Sequence, residues 1–296
     1  MFKKIETFKE AQARNIEDAL REDIGTGSLT ELFVESNQIE AIIISRENAV
    51  LCGVDWCMGC FKRTNPKVKI NFFKSDGDLL KKNEIICSIA GDAKCILEAE
   101  RSALNFLQLL SSTATTTKKY VEILARTNTE NLFCAVLDTR KTQPGLRLAQ
   151  KYAVRMGGGK NQRFGLWDSL LFKENHLRCI GGINGLMPKL SDYLKCNNKG
   201  PFISNKIQVE VEDLSELRLA LSIGIKNILL DNFSEDLIFE AVRINKKQAV
   251  LEVSGGVSLD SIVRIAQSGV DRISVGRLTK DIHAIDFSLQ IKKNNA

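Results

Sequence analysis

Lys206–Arg277 reads "KIQVEVEDLSELRLALSIGIKNILLDNFSEDLIFEAVRINKKQAVLEVSGGVSLDSIVRIAQSGVDRISVGR". Short apolar, β-branched runs ("KIQVEVE", "NILLDN", "AVLEVSGG", "RISVGR") alternate with segments of helical spacing ("LSELRLALSIG", "SEDLIFEAVRINK", "LDSIVRIAQSG"). Ser234 before Glu235 and Asp236 signals a helix start, and Gly269 after an apolar face signals a helix stop. Glu210, Asp231, Ser254 and Val275 follow one another at steps of 21, 23 and 21 residues. A near-constant step of that length is one strand–helix unit. Repeated units build either a doubly wound sheet or a barrel.

Two further strands precede these, "FCAVLDT" and "SLLFKENH". Each strand ends in something reactive or in bare backbone. The sets are Asp138/Arg140/Lys141, Lys173/Asn175/His176, Glu210/Glu212, Asp231/Asn232, Ser254-Gly255-Gly256 and Gly276. In a βα barrel such ends converge on one mouth, which is where barrel enzymes work. The "SGG" and "VGR" loops stand where these barrels hold a phosphate on backbone N–H groups. Glu210 and Asp231 are of the type to hold Mg²⁺ on that phosphate, because Mg²⁺ takes one or two carboxylates plus phosphate oxygens.

Leu137–Gly165, "LDTRKTQPGLRLAQKYAVRMGGGKNQRFG", carries Arg140, Lys141, Arg147, Lys151, Arg155, Lys160 and Arg163 against one acid, Asp138. Arg147, Lys151 and Arg155 recur every four residues, the pattern of one solvated helix face, and are left out of the site. The remaining cations suit a small anion. A net charge of +6 over 296 residues is mild for a nucleic-acid binder.

The N-terminal part has another texture. "FKEAQARNIEDALREDIG" reads as a helix stopping at Gly25, "IEAIIISRENAVLCG" and "KVKINFFKSDGDLL" as strands with turns, and the residues from Glu98 to Thr127 as one long helix. The expected organisation is an N-terminal α/β sandwich over 1–110 and an α/β barrel over 111–281, with a tail, 282–296, returning to the sandwich. The Ser/Thr run 111–117 reads as close helix packing. "DWCMGC" at 55–60 has redox spacing. However, a strand, a turn and a helix already under way precede it, and no second C-x-x-C or nearby His completes a zinc set. It reads as small residues on a packed helix face. The start, "MFKKIETFKEAQ", lacks an apolar stretch, and no run approaches a membrane span, so a cytoplasmic protein with reduced thiols is expected.

"ERSALNFLQLLS", "LDTRKTQPGLRLAQKYAVRMGGG", "NQRFGLWDSLLFKENH", "VEVEDL", "LLDNF", "LEVSGGVSLDSI" and "GVDRISVGRLTKD" resemble, in order, the motifs of the quinolinate phosphoribosyltransferase family. The resemblance runs from "EDIG" at 22–25 to the C-terminus. It implies an N-terminal α/β sandwich plus an irregular, incomplete α/β barrel. It further implies transfer from phosphoribosyl pyrophosphate to quinolinate with Mg²⁺, giving nicotinate mononucleotide, pyrophosphate and CO₂ in NAD biosynthesis, in a homodimer whose sites are shared between subunits.

By the same resemblance Arg140, Arg163 and Lys173 hold quinolinate together with Arg101 of the other subunit. Thr139 and Lys141 belong to the substrate-binding segment, Lys141 facing the sugar phosphate. Glu210 and Asp231 hold ribose and, through Mg²⁺, the diphosphate. Ser254, Gly255, Gly256, Val275, Gly276 and Arg277 wrap the 5′-phosphate. Three positions depart from the family pattern. Gln162 stands where His is usual, Arg277 where a small residue is usual, and Ser28 where Asp is usual. The competing readings are a phosphoribosyltransferase-like relative of molybdate handling, which Gln162 favours, and a basic nucleic-acid binder.

Overall fold

The computed structural model describes residues 4–127, 134–196 and 207–292. They form two compact units. One comprises residues up to 118 with 141–158 and the segment from 277 onward; the other comprises 119–140 and 159–276. Residues 293–296 of the tail lie outside the described residues.

The first unit is built on an antiparallel sheet, β12-β1-β5-β3. Its strands are β1 (Gln38–Ser45), β3 (Lys69–Phe72), β5 (Ile85–Asp92) and β12 (Phe287–Ile291), and a two-stranded ribbon pairs β2 (Ala49–Val50) with β4 (Leu79–Leu80). β12 comes from the far end of the chain and pairs with β1 from Ala41↔Ile291 to Ser45↔Phe287. The helix Phe8–Ile24 starts on a Thr7/Glu10 capping box and stops at Gly25, whose φ of 57° suits glycine. Ile43, Leu51, Trp56, Phe61, Ile86, Ile89, Ile96, Leu104, Leu107 and Leu110 fill the core. Each such side chain contributes about 1.5–3 kcal/mol by leaving water.

Cys57 and Cys60 lie wholly inside that core on the helix Val54–Thr64. Burial pushes both thiols up, Cys60 to about 12, so neither is a thiolate nucleophile. The long helix is Ala93–Thr127. Its Ser111 Oγ accepts from the Cys52 N–H and donates to the Cys52 carbonyl, and Ser112, Thr113 and Thr117 are buried with it. Gly157 lies against this helix. A Cβ there would sit 2.4 Å from the Ala114 carbonyl oxygen and 2.6 Å from Thr117 Cβ. Gly158 is needed for a different reason, its φ of +87°.

Lys151 corrects the sequence reading. It lies on the helix Arg147–Met156 and is 0% exposed, while Arg155 is exposed. The four-residue recurrence of cations spans a helix edge rather than one solvated face. Amphipathic spacing cannot separate a buried lysine from an exposed one.

The second unit is an incomplete α/β barrel. Six parallel strands run in the order β6-β11-β10-β9-β8-β7: β6 (Ala135–Leu137), β7 (Leu170–Phe172), β8 (Ile207–Val211), β9 (Asn227–Asp231), β10 (Val250–Ser254) and β11 (Arg272–Ser274). Intervening helices include Leu214–Ser222, Glu235–Asn245 and Ile262–Gln267. Ser234 caps Glu235–Asn245 by accepting from the Leu237 N–H. The 21- and 23-residue steps are therefore real βα units. They close toward a barrel, whose register aligns Asp231 with Ser254.

Candidate active site

The C-terminal ends of the barrel strands gather most of the residues singled out from sequence. β6 leads into Thr139 and Arg140, β7 into Lys173, and β8 presents Glu210. Asp231 ends β9, Ser254 ends β10, and Val275 and Gly276 follow β11. Arg101, Lys141 and Arg277 belong to the first unit. Arg101 is exposed on the long helix. The Lys141 carbonyl accepts from Thr279, and Arg277 pairs with Asp281 one turn on, at 3.8 Å.

Two guanidinium groups, of Arg140 and Arg163, lie close together here. Arg163 is 8% exposed, and one of its Nη atoms donates to the Ser169 carbonyl at 3.2 Å. The Nε atoms of Arg163 and Arg140 are both buried without a hydrogen-bond acceptor among the described residues. Desolvation and the neighbouring Arg140 charge lower the Arg163 pKa. Arg140 is half-buried as a whole, and two like charges side by side with buried, unsatisfied Nε donors are costly unless an anion completes them. A planar carboxylate matches the guanidinium fork.

Beside them lies an acid–base group. Glu210 is 3% exposed and Lys173 Nζ approaches its carboxylate at 3.0 Å. Burial pushes Glu210 up to about 7. Lys173 opposes that shift, while a hydrogen bond shared with Glu174 and the charge of Asp231 reinforce it. Glu174 correspondingly goes down, chiefly through that shared hydrogen bond. Lys173 also precedes a helix, Glu174–Ile180, and its N–H donates to His176 Nδ1 at 3.1 Å. His176 therefore orders the turn that carries Lys173. Asp231 does not cap the following helix, and its carboxylate accepts from Asn232 Nδ2 at 2.8 Å.

The loop after β10 is shaped for close backbone approach. Gly255 has φ of +100° and Gly256 +59°. A Cβ on Gly255 would stand 2.1 Å from Asn232 Oδ1, and the Asn232 N–H donates to the Ser254 carbonyl at 2.9 Å. Only glycine meets both demands. Val275 N–H donates to the Leu137 carbonyl, which ties the loop after β11 to β6.

The sequence profile of the quinolinate phosphoribosyl transferase C-terminal domain matches residues 113–290, and that of the N-terminal domain matches residues 23–111. The chain belongs to the quinolinate phosphoribosyltransferase family. Among relatives in this family, a probable nicotinate-nucleotide pyrophosphorylase [carboxylating] of Bacillus subtilis is 35% identical over 275 residues, covering 93% of this chain and 91% of its own. Its counterpart in Methanocaldococcus jannaschii is 35% identical over 293 residues, covering 96% and 98%. The solved nicotinate-nucleotide pyrophosphorylase of Francisella tularensis superposes with a TM-score of 0.87 at 42% identity, covering 98% of each chain. The family fold of sandwich plus incomplete barrel is thus the fold of this chain.

Several site residues escaped the sequence reading. Glu174 shares a hydrogen bond with Glu210. Asp138, expected from sequence among the strand-end residues of the mouth, is instead fully buried and accepts from Asn161 Nδ2 at 2.6 Å and from the Gln162 N–H at 2.9 Å, which fixes the segment before Arg163. Gln162 itself, expected at the substrate, donates through Nε2 to Gln208 Oε1 at 3.0 Å, inside the barrel. Gln208 and Glu252 are polar residues in buried strands, and that mismatch with strand character was the available signal.

Proposed function

We propose that this chain transfers the phosphoribosyl group of phosphoribosyl pyrophosphate to the nitrogen of quinolinate and releases CO₂, giving nicotinate mononucleotide for NAD biosynthesis. It is a pentosyltransferase of the nicotinate-nucleotide diphosphorylase (carboxylating) type. The observation that carries this reading is the neighbouring pair of Arg140 and Arg163, whose buried Nε donors have no acceptor among the described residues. Quinolinate brings two carboxylates on one ring. Arg140 and Arg163 grip them with Lys173, and Arg101 of a second subunit completes the clamp. Thr139 and Lys141 line the approach of the sugar phosphate. Gly255, Gly256, Gly276 and Arg277 receive the 5′-phosphate on backbone N–H groups, and Ser254 and Val275, at the ends of the two loops, hold those loops around it.

The donor set of Glu210 and Asp231 fits Mg²⁺. Both offer hard oxygen ligands, and a divalent cation would relieve the repulsion between them, which adds to the burial that chiefly pushes Glu210 up. When bound, Mg²⁺ neutralises the diphosphate so that it can leave. The protein's own groups do the rest. Positive charge grows on the ribose ring as the diphosphate departs, and the Glu210 and Asp231 carboxylates stabilise it. The clamp holds the pyridine nitrogen in line for attack. Once that nitrogen is ribosylated it is cationic, and its positive charge stabilises the electron pair that stays on C2 when the carboxylate leaves as CO₂. Lys173 and the guanidinium groups stabilise that ring carbanion until it is protonated.

Family membership favours this reading over the relative of molybdate handling. The burial of Arg163 fits a small anion better than a nucleic-acid backbone. The assembly is a homodimer in this account, and the active protein is cytoplasmic. Among the described residues no helix is long and apolar enough to cross a membrane. Arg140→Ala should weaken quinolinate binding about a hundredfold through loss of a charge-assisted bidentate contact. Titration calorimetry with quinolinate checks this, and unchanged affinity in a folded variant contradicts the clamp.

A further inference from the structure

The barrel interior holds a chain of hydrogen bonds that ends on the backbone of Arg163. Ser274 Oγ donates to one Glu252 oxygen, and Gln208 Nε2 donates to the other at 2.9 Å. Gln208 Oε1 accepts from Gln162 Nε2 at 3.0 Å, and Gln162 Oε1 accepts from the Arg163 N–H at 2.6 Å. Gln208 is on β8 and Glu252 on β10, with β9 between them. Their bond therefore crosses the inside of the barrel over β9.

Barrel interiors are ordinarily filled by Val, Ile and Leu. Here Glu252 is 1% exposed and Gln208 is buried. Gln162, Gln208 and Glu252 line a cavity of about 130 Å³ that Arg163 and Asn161 also border.

The two ends of the chain have fixed hydrogen-bond sense. A carboxylate can only accept and a backbone N–H can only donate. Between such ends, two amides can be satisfied in one orientation only, each donating toward Glu252 and accepting from the Arg163 side. We propose that Glu252, Gln208 and Gln162 are positioning residues that set the place of Arg163 through this one-way relay, so that the barrel core determines where the guanidinium meets the quinolinate carboxylate. The proposal rests on the reading of Arg163 as a quinolinate ligand. It gives Gln162 a role in this chain that does not require contact with substrate. The relay works through the sense of its hydrogen bonds and not through the charge of Glu252. An amide at 252 can still accept from Gln208 while its NH₂ donates to the Ser274 hydroxyl, which turns to accept.

The test compares Gln208→Met, Glu252→Met and Glu252→Gln in the full chain. Two readouts are taken: KM for each substrate, and hydrogen exchange of the Arg163 amide. Gln208→Met and Glu252→Met should raise the quinolinate KM about tenfold, the effect of one mispaired buried hydrogen bond. They should move the phosphoribosyl pyrophosphate KM by less than about twofold and speed exchange at Arg163, where an acceptor has been loosened. Glu252→Gln should keep the wild-type values of all three.

If Glu252→Gln is as impaired as Glu252→Met, charge is what matters and the relay is overturned. Equal rises in both KM values, or unchanged exchange at Arg163 in the Met variants, overturn it as well. Where a core variant does not fold, Gln162→Leu at the other end of the relay must give the same two changes, and normal values there are decisive against it. A wild-type chain that makes no nicotinate mononucleotide defeats the functional reading, while the exchange measurement still decides the relay.

Discussion

Glu210 combines burial, a lysine partner and two acidic neighbours, and the balance leaves its carboxyl near pH 7 rather than in the ordinary carboxylate range. The sign of the consequence follows from proton binding. The native state holds a proton that the unfolded chain has already released, so this group stabilises the fold at low pH. That contribution is lost as pH rises from the ordinary carboxylate value through about 7. In chelator, wild-type melting temperature should fall between about pH 5 and about pH 8 relative to Glu210→Gln, and the difference should level off above that range. Parallel pH profiles for the two proteins would show that Glu210 titrates normally. The same residue shows how binding and stability are opposed here. In the proposed mechanism the carboxylate is the working form of Glu210, and it is the form that burial disfavours.

The loop after β10 illustrates how an element serves the site. Gly255 is required by its φ of +100° and by the 2.1 Å approach of a would-be Cβ to Asn232. Gly255→Ala should strain the loop by about 1–3 kcal/mol. The phosphoribosyl pyrophosphate KM should rise about tenfold or more while quinolinate binding, built on Arg140 and Arg163, stays within about twofold. Steady-state kinetics with each substrate varied in turn checks this, and an equal rise in both would mean the loop does not serve the phosphate. This element was legible in the sequence. "SGG" at a strand end in a repeating βα pattern gave the place and backbone freedom of the loop from composition and spacing, its phosphate being part of the proposed function. The strand-end positions of Lys173, Glu210 and Asp231 were legible too, because a barrel brings all strand ends to one rim. The relay through Gln208 and Glu252 was not legible, since its members lie on non-adjacent strands and meet only across the closed interior. Lys151 was misread for a related reason. Helical periodicity gives direction around an axis but not what covers each direction.

At the scale of the molecule, the proposed homodimer has Arg101, exposed on the long helix of the first unit, acting in another subunit's site. Arg101→Ala and Lys173→Ala should each be inactive as homodimers. Refolded together in equal amounts, half the dimers are mixed and each mixed dimer has one intact site, so about a quarter of wild-type activity should return. A mixture that stays inactive despite confirmed subunit exchange would place Arg101 in its own chain's site. The central claim, decarboxylating phosphoribosyl transfer, is tested most directly by isotope. Quinolinate labelled at the C2 carboxyl carbon is incubated with the purified protein, phosphoribosyl pyrophosphate and Mg²⁺, and labelled CO₂ is measured against nicotinate mononucleotide. The account predicts equal amounts of the two and no label in the nucleotide. Release of no labelled CO₂, or a nucleotide that keeps the label, would contradict it.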